Sequence, residues 1–89
     1  MNEFEVVLVA EAQSDLRRLP PTVRGRLLDK LQWIGDNVQL IIHQPLKGEE
    51  WDNAFKYRVG DYRIIYRVAI DQRRIVVLRI GHRREVYKC

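Results

Sequence analysis

The period of the hydrophobic residues changes along this chain, and each change marks an element boundary. Glu3 to Val9 is short, apolar and β-branched, with Phe4, Val6 and Leu8 on one side and Val7 and Val9 on the other. That alternation predicts a strand with both faces at least partly covered. From Glu11 to Leu19 the spacing becomes helical: Ala12, Leu16 and Leu19 share a face, and Asp15, Arg17 and Arg18 are assigned to solvent. Pro20 disfavours helical geometry at Leu19, whereas Pro21 suits the first turn of a new helix. This second helix, Thr22 to Ile34 or a little beyond, carries the clearest amphipathic stripe, Val23, Leu27, Leu31 and Ile34 widened by Leu28. Neither helix buries its stripe alone, so the pair is expected to form an αα-hairpin on one side of a sheet. Gly35, Asp36 and Asn37 read as its stop.

Val38 to Asn53 has no clean period. Its Val38–Ile42 run fits a strand or a continued helix, Pro45 and Gly48 mark turns, and Leu46 and Trp51 read as anchors to the core. Strict alternation returns at Phe55: Phe55, Tyr57 and Val59 alternate with Lys56 and Arg58. After Gly60-Asp61, Tyr62, Ile64, Tyr66 and Val68 alternate with Arg63, Ile65 and Arg67. If Gly60-Asp61 is a two-residue hairpin loop, Arg58 lies opposite Arg63 and Tyr57 opposite Ile64; Gly-Asp is a weaker signal for this than Asp-Gly. Asp71-Gln72-Arg73 makes a further turn. Ile75 to Ile80 is a nearly continuous apolar strand, as in a central or doubly covered position. Gly81 reads as its break, projecting a polar tail from His82 to Lys88. The sum is one α+β domain over residues 1–89: an opening strand, a helical hairpin, and three successive antiparallel strands in a mainly antiparallel four-stranded sheet.

Composition alters this picture in one respect. Eighty-nine residues, 46% hydrophobic and 31% charged, suit a single folded domain with one modest core. The net charge is only +4, but eight arginines fall between Arg58 and Arg84. Such density points to a phosphate-rich or acidic partner, against the plainer reading of a solvated surface. Arg17, Arg18, Arg24, Arg26 and Lys30 offer a second basic surface or ordinary wet helix faces. The single Cys89 supplies neither a disulfide framework nor a thiolate cluster, and His43 and His82 lack partners at ligand spacing. No metal or cofactor is therefore expected. Met1 is not followed by a basic and then apolar leader, and no apolar run approaches about 20 residues, so a soluble cytoplasmic protein is expected.

The candidate chemistry gathers on the hairpin and the tail. Like charges opposed across a sheet are unfavourable, and an anion between Arg58 and Arg63 would account for them. Lys56 shares their side, and the tail can bring Arg83 and Tyr87 towards it. Such a group suits RNA, which carries its own nucleophile: the 2′-hydroxyl attacks the adjacent phosphate in line, and neither metal nor activated water is required. Arginine forks bind the nonbridging oxygens and stabilise charge building at phosphorus. Lys56 is the candidate base, provided its neighbours favour the neutral amine. Arg83 offsets charge on the leaving 5′-oxygen, and Tyr87 stacks on a base or orients the hydroxyl. Arg79, His82, Arg84 and Lys88 are candidate substrate contacts. Each has a plainer role: Lys56 and Arg58 as the wet face of an edge strand, Tyr62 and Tyr66 as core aromatics, His82 as a buttress of the turn after Gly81.

The run YRVGDYRIIYRV from Tyr57 and the closing GHRREVY from Gly81, together with DLRRLPPTVR and Leu46-Lys47-Gly48, resemble the RelE/ParE superfamily, the toxin halves of bacterial toxin–antitoxin pairs. The resemblance implies a small twisted sheet with a helical hairpin on one face. Its RelE branch implies ribosome-dependent, metal-independent cleavage of mRNA in the A site. Carried over by motif, the catalytic positions are Lys56, Arg58, Arg63, Arg83 and Tyr87. Arg58 stands where the RelE pattern can have lysine, which weakens it as a base because arginine stays protonated. The compressed tail leaves open whether Arg83 or Arg84 is the active arginine. Implied partners are a cognate RelB-like antitoxin in a higher heteromer, the ribosome and its mRNA, and no membrane. The ParE branch, which poisons DNA gyrase by contact, is the alternative, as is a noncatalytic RNA-binding module.

Overall fold

The computed structural model describes residues 4–46 and 53–84. The elements are β1 (Glu5–Leu8), α1 (Ala10–Arg17), α2 (Pro21–Asp36), β2 (Gln44–Pro45), β3 (Phe55–Val59), β4 (Tyr62–Ala69) and β5 (Arg74–His82). They form one sheet in the order β1-β5-β4-β3-β2. The sheet thus has five strands where the pattern predicts four. The addition is the two-residue β2, which lies in the segment that has no clean period. β1 runs parallel to β5, and all other pairings are antiparallel.

The main core lies between the helices and one sheet face, where Ala12, Leu16, Leu27, Leu31 and Ile34 meet Ile64, Tyr66, Ile75, Val77 and Ile80. A second, small cluster of Ala54 and Ile65, joined by Leu46 and Leu78, covers part of the opposite face. Leu28, expected on the buried stripe, is exposed; the stripe is the narrower Leu27, Leu31, Ile34 row. α2 ends within the expected Gly35-Asp36-Asn37 stop: it runs to Asp36, and Asn37 Nδ2 donates to the Trp33 carbonyl at 2.8 Å. Gly35 lies where helix and strand touch: a Cβ there would sit 2.7 Å from the Phe4 carbonyl oxygen, and the Phe4 N–H donates to the Gly35 carbonyl.

The patternless segment packs through polar groups. Val38 is buried. His43 Nε2 lies 2.8 Å from the Val38 carbonyl, which can only accept, so Nδ1 is left to accept the Tyr66 hydroxyl at 2.6 Å. The same histidine ring lies against Phe55 and Tyr66. Trp51, Lys47 and Gly48 fall outside the described residues.

Gly81 does not break β5; the strand runs through to His82. A register shift at Ile65/Tyr66 pairs Ile65 with Arg79 and Tyr66 with Val77, leaving Leu78 as the extra residue. The bulge resets parity: Ile80 and His82 pair with Ile64 and Tyr62 and so share the helix-covered face, as Val77 does before the bulge.

Burial, and secondarily the neighbouring Tyr57, push the Tyr66 phenol from its ordinary 10.0 up to about 12. The folded state therefore keeps this proton longer than the unfolded chain does. The contribution is fully present below pH 10 and is lost as pH rises towards 12. Alkaline titration of unfolding free energy should fall across that window in the unaltered protein, and the fall should be shallower in Tyr66→Phe.

Candidate functional site

The sheet register builds the site. Gly60 has φ +59°, and Asp61 is not among the residues of positive φ, the pattern expected of a type II′ turn with glycine first. Gly-Asp thus serves as the hairpin loop that Asp-Gly would more commonly signal. The resulting ladder sets Arg58 directly opposite Arg63, Tyr57 opposite Ile64 and Lys56 opposite Ile65. Lys56, Arg58 and Arg63 therefore occupy the sheet face away from the helices. Lys56 and Arg58 also line a groove of about 330 Å³ with Ile42, Gln44 and Tyr57, where the chain before β2 diverges from β3.

Arg63 is partly tied down, since its Nη1 donates to the Gly60 and Tyr62 carbonyls at 2.9 Å each. It holds the turn with one nitrogen and leaves the rest of its fork for an anion. On the neighbouring strand Gly81 opposes Arg63, and no side chain intervenes there. Beyond β5, the Arg83 backbone N–H donates to the Asp61 carbonyl at 2.8 Å. That bond brings the closing segment to the same turn as Arg58 and Arg63, with the Arg83 side chain exposed.

Other expected site residues lie elsewhere. His82 pairs with Tyr62 on the helix-covered face and meets its ring edge-on at 5.9 Å. The Arg84 N–H donates to His82 Nδ1 at 3.2 Å, so His82 does buttress the turn. Arg79 pairs with Ile65 in the ladder, and its guanidinium is held by Asp15 at 2.8 and 3.2 Å. Tyr87 and Lys88 lie outside the described residues. On α2, the Lys30 ammonium sits over the rings of Trp33 and Tyr57 at 4.9 and 5.9 Å.

Asp15 corrects the sequence reading most plainly. Assigned to solvent, it is buried, and besides Arg79 it accepts the Ile80 N–H at 3.0 Å. The reason is the short β1. Its pairing with β5 ends at Leu8 opposite Val77, and Asp15 takes up a donor on the edge that β1 no longer covers. The signal was present, because Asp15 falls on the same helical row as Ala12, Leu16 and Leu19.

Residues 6–87 match the family described as ParE toxin of type II toxin-antitoxin system, parDE. The chain belongs to this family. Toxin RelG of Mycobacterium tuberculosis is 28% identical over 85 residues, which cover 96% of this chain and 97% of that protein. The toxin–antitoxin complex RelBE2 of the same organism shares the fold with a TM-score of 0.77 and 29% identity, over 90% of this chain and 91% of the matched chain. The isolated E. coli RelE toxin gives a TM-score of 0.73 at 22% identity, over 89% and 83% of the two chains. The protein is thus a RelE/ParE superfamily toxin of a type II toxin–antitoxin system, and its α+β architecture is that of the superfamily.

Asp15→Ala should destabilise the fold by about 1–3 kcal/mol, because it leaves the buried Ile80 N–H without its acceptor and removes one ion pair of Arg79. Denaturant unfolding measures this, and loss of Ile80 amide protection against hydrogen exchange locates it.

Proposed function

We propose that this toxin is a ribosome-dependent mRNA endoribonuclease that halts translation. The observation that carries the reading is the Arg58–Arg63 pair, two like charges opposed across a ladder, with the Arg83 segment bonded to the turn between them. A phosphate between these groups relieves their repulsion and accepts their forks. Negative charge grows on its oxygens as the neighbouring 2′-hydroxyl attacks, so the same groups bind the transition state more tightly than the substrate. Lys56, two residues before Arg58 and so on the same face, is assigned as the base towards the 2′-hydroxyl. Arg83 is assigned to the leaving 5′-oxygen and Tyr87 to base stacking, with Arg84 and Lys88 contacting the RNA. Lys56 takes the 2′-hydroxyl proton, Arg83 offsets the charge that develops on the leaving 5′-oxygen without giving up its own proton, and water protonates that oxygen as it departs; no metal or cofactor enters the scheme.

The RelBE2 complex of M. tuberculosis and the archaeal RelE-RelB complex of Pyrococcus horikoshii contain an antitoxin beside the toxin. By the same reading, a RelB-like antitoxin holds this chain in a cytoplasmic heteromer, and its acidic groups compete with RNA for the cationic face. The second reading is gyrase poisoning, favoured by the ParE description of the matched family. Its physical weakness is that a protein-contact inhibitor has no need of opposed guanidinium groups.

Purified toxin added to translating ribosomes should leave new mRNA ends at A-site codons. Arg83→Ala should lower the single-turnover rate by about 10²–10³-fold. Its melting temperature should hardly move, because the bond to Asp61 uses the backbone. Intact mRNA together with trapped gyrase–DNA breaks would replace this reading with the second.

A further inference from the structure

A recess lies behind the cationic face, at the end of the sheet where β4 begins and β5 stops. It holds about 300 Å³, at the lower limit of small-ligand pockets. Its lining includes Asp15 with the Arg79 that it holds, Arg18, Leu19, Tyr62, Ile80 and His82, and the Gly81 backbone between the last two. Its unspent polar groups are donors. The Asp15 carboxylate is taken by Arg79 and the Ile80 N–H, and the Asp15 and Leu16 carbonyls accept from Arg18 and Leu19. His82 Nδ1 accepts from Arg84, which places the proton of the neutral ring on Nε2. Neither that N–H nor the Arg18 guanidinium has a partner among the described residues. Between them stand the flat or apolar Tyr62, Leu19 and Ile80, with the Arg79 guanidinium bound to Asp15 at one side.

Consecutive strand residues face opposite sides of a sheet. The Tyr62–His82 pair at the recess and the Arg63–Gly81 pair on the outer face are consecutive. A strand of RNA rounding the Gly60–Asp61 turn beside Arg83 passes from one to the other. We propose that the recess receives the base of a nucleotide flanking the cleaved bond, stacked on Tyr62, while Arg18 binds that nucleotide's phosphate. This rests on the RNA-cleavage reading and adds to it a subsite on the helix side. An extended acidic peptide fits less well, since strand addition needs free backbone donors and Asp15 already occupies the Ile80 N–H. Arg18 is a binding residue in this account, drawn from the basic helix surface rather than from the sheet.

The test uses programmed ribosomes carrying mRNAs in which either nucleotide flanking the cleaved bond is abasic. With the unaltered protein, one of the two abasic mRNAs should raise KM by about tenfold, the scale of one base stacked on an aromatic ring. Arg18→Ala keeps the backbone bond to Asp15, so the helix end should stay in place. It should raise KM on intact mRNA by a similar factor, with kcat within about twofold because the chemistry lies elsewhere. Its loss should shrink on the abasic mRNA, since phosphate and base contacts place the same nucleotide. An unchanged KM in Arg18→Ala would overturn the subsite. So would an equal loss on abasic and intact mRNA, which would mean that Arg18 touches the ribosome instead. Normal cleavage by Arg18→Ala with lost binding of an acidic antitoxin peptide would assign the recess to the antitoxin. If the unaltered protein leaves no cut ends on any mRNA, the cleavage reading fails and the subsite with it.

Discussion

Two guanidinium groups face each other across β3 and β4, and the backbone gives them little freedom to part. A slip of one residue in this ladder would turn Tyr57, Ile64 and Tyr66 out of the core and arginines into it. The hydrophobic alternation and the turn at Gly60 therefore fix the register, and the register fixes the charge pair. Coulomb repulsion at such a separation is modest in water and grows as the surroundings dry. The fold tolerates the pair in solvent, and an anion that displaces that solvent gains from it. The cationic face is thus a consequence of core packing on the other side of the same strands.

The closing segment is placed by a second chain of causes. β1 is too short to cover the whole of β5, and Asp15 from α1 takes a donor left on that edge. The bulge at Leu78 turns Ile80 and His82 back to the helices, so Gly81 comes to stand beside Arg63. The strand ends where Arg83 reaches the Asp61 carbonyl. Helix, bulge and turn thus bring a residue twenty positions beyond Arg63 in sequence to the same hairpin tip. A recess between α1 and the strand ends is left on the other side.

Much of this was legible in the residues. Alternation from Phe55 to Val68 is strict enough to give the hairpin and its facing arginines, and the Pro20-Pro21 break separates the helices where expected. What was not legible depends on contacts distant in sequence. No local period reveals that Gly35 yields room to Phe4, that Asp15 serves a strand edge, or that His43 bonds Tyr66. The bulge was hidden for the same reason, because a run of Ile75-Val76-Val77-Leu78 shows no alternation to interrupt. Glycine at position 81 resembled a breaker, yet the strand passes through it. The site's basic residues were visible as types; which of them meet was decided by register and by the turn at Asp61.

On this view Arg58 and Arg63 repel in the free protein, and a bound phosphate backbone reconciles them. A double-mutant cycle with Arg58→Ala and Arg63→Ala measures this coupling, using unfolding free energy at low salt with and without a 2′-deoxy, uncleavable RNA. In the free protein, Arg58→Ala should be more favourable by about 0.2–1 kcal/mol when Arg63 is present than when it is absent. With RNA bound, that preference should reverse. An attractive coupling in the free protein, or RNA stabilisation that neither substitution alters, would contradict the account.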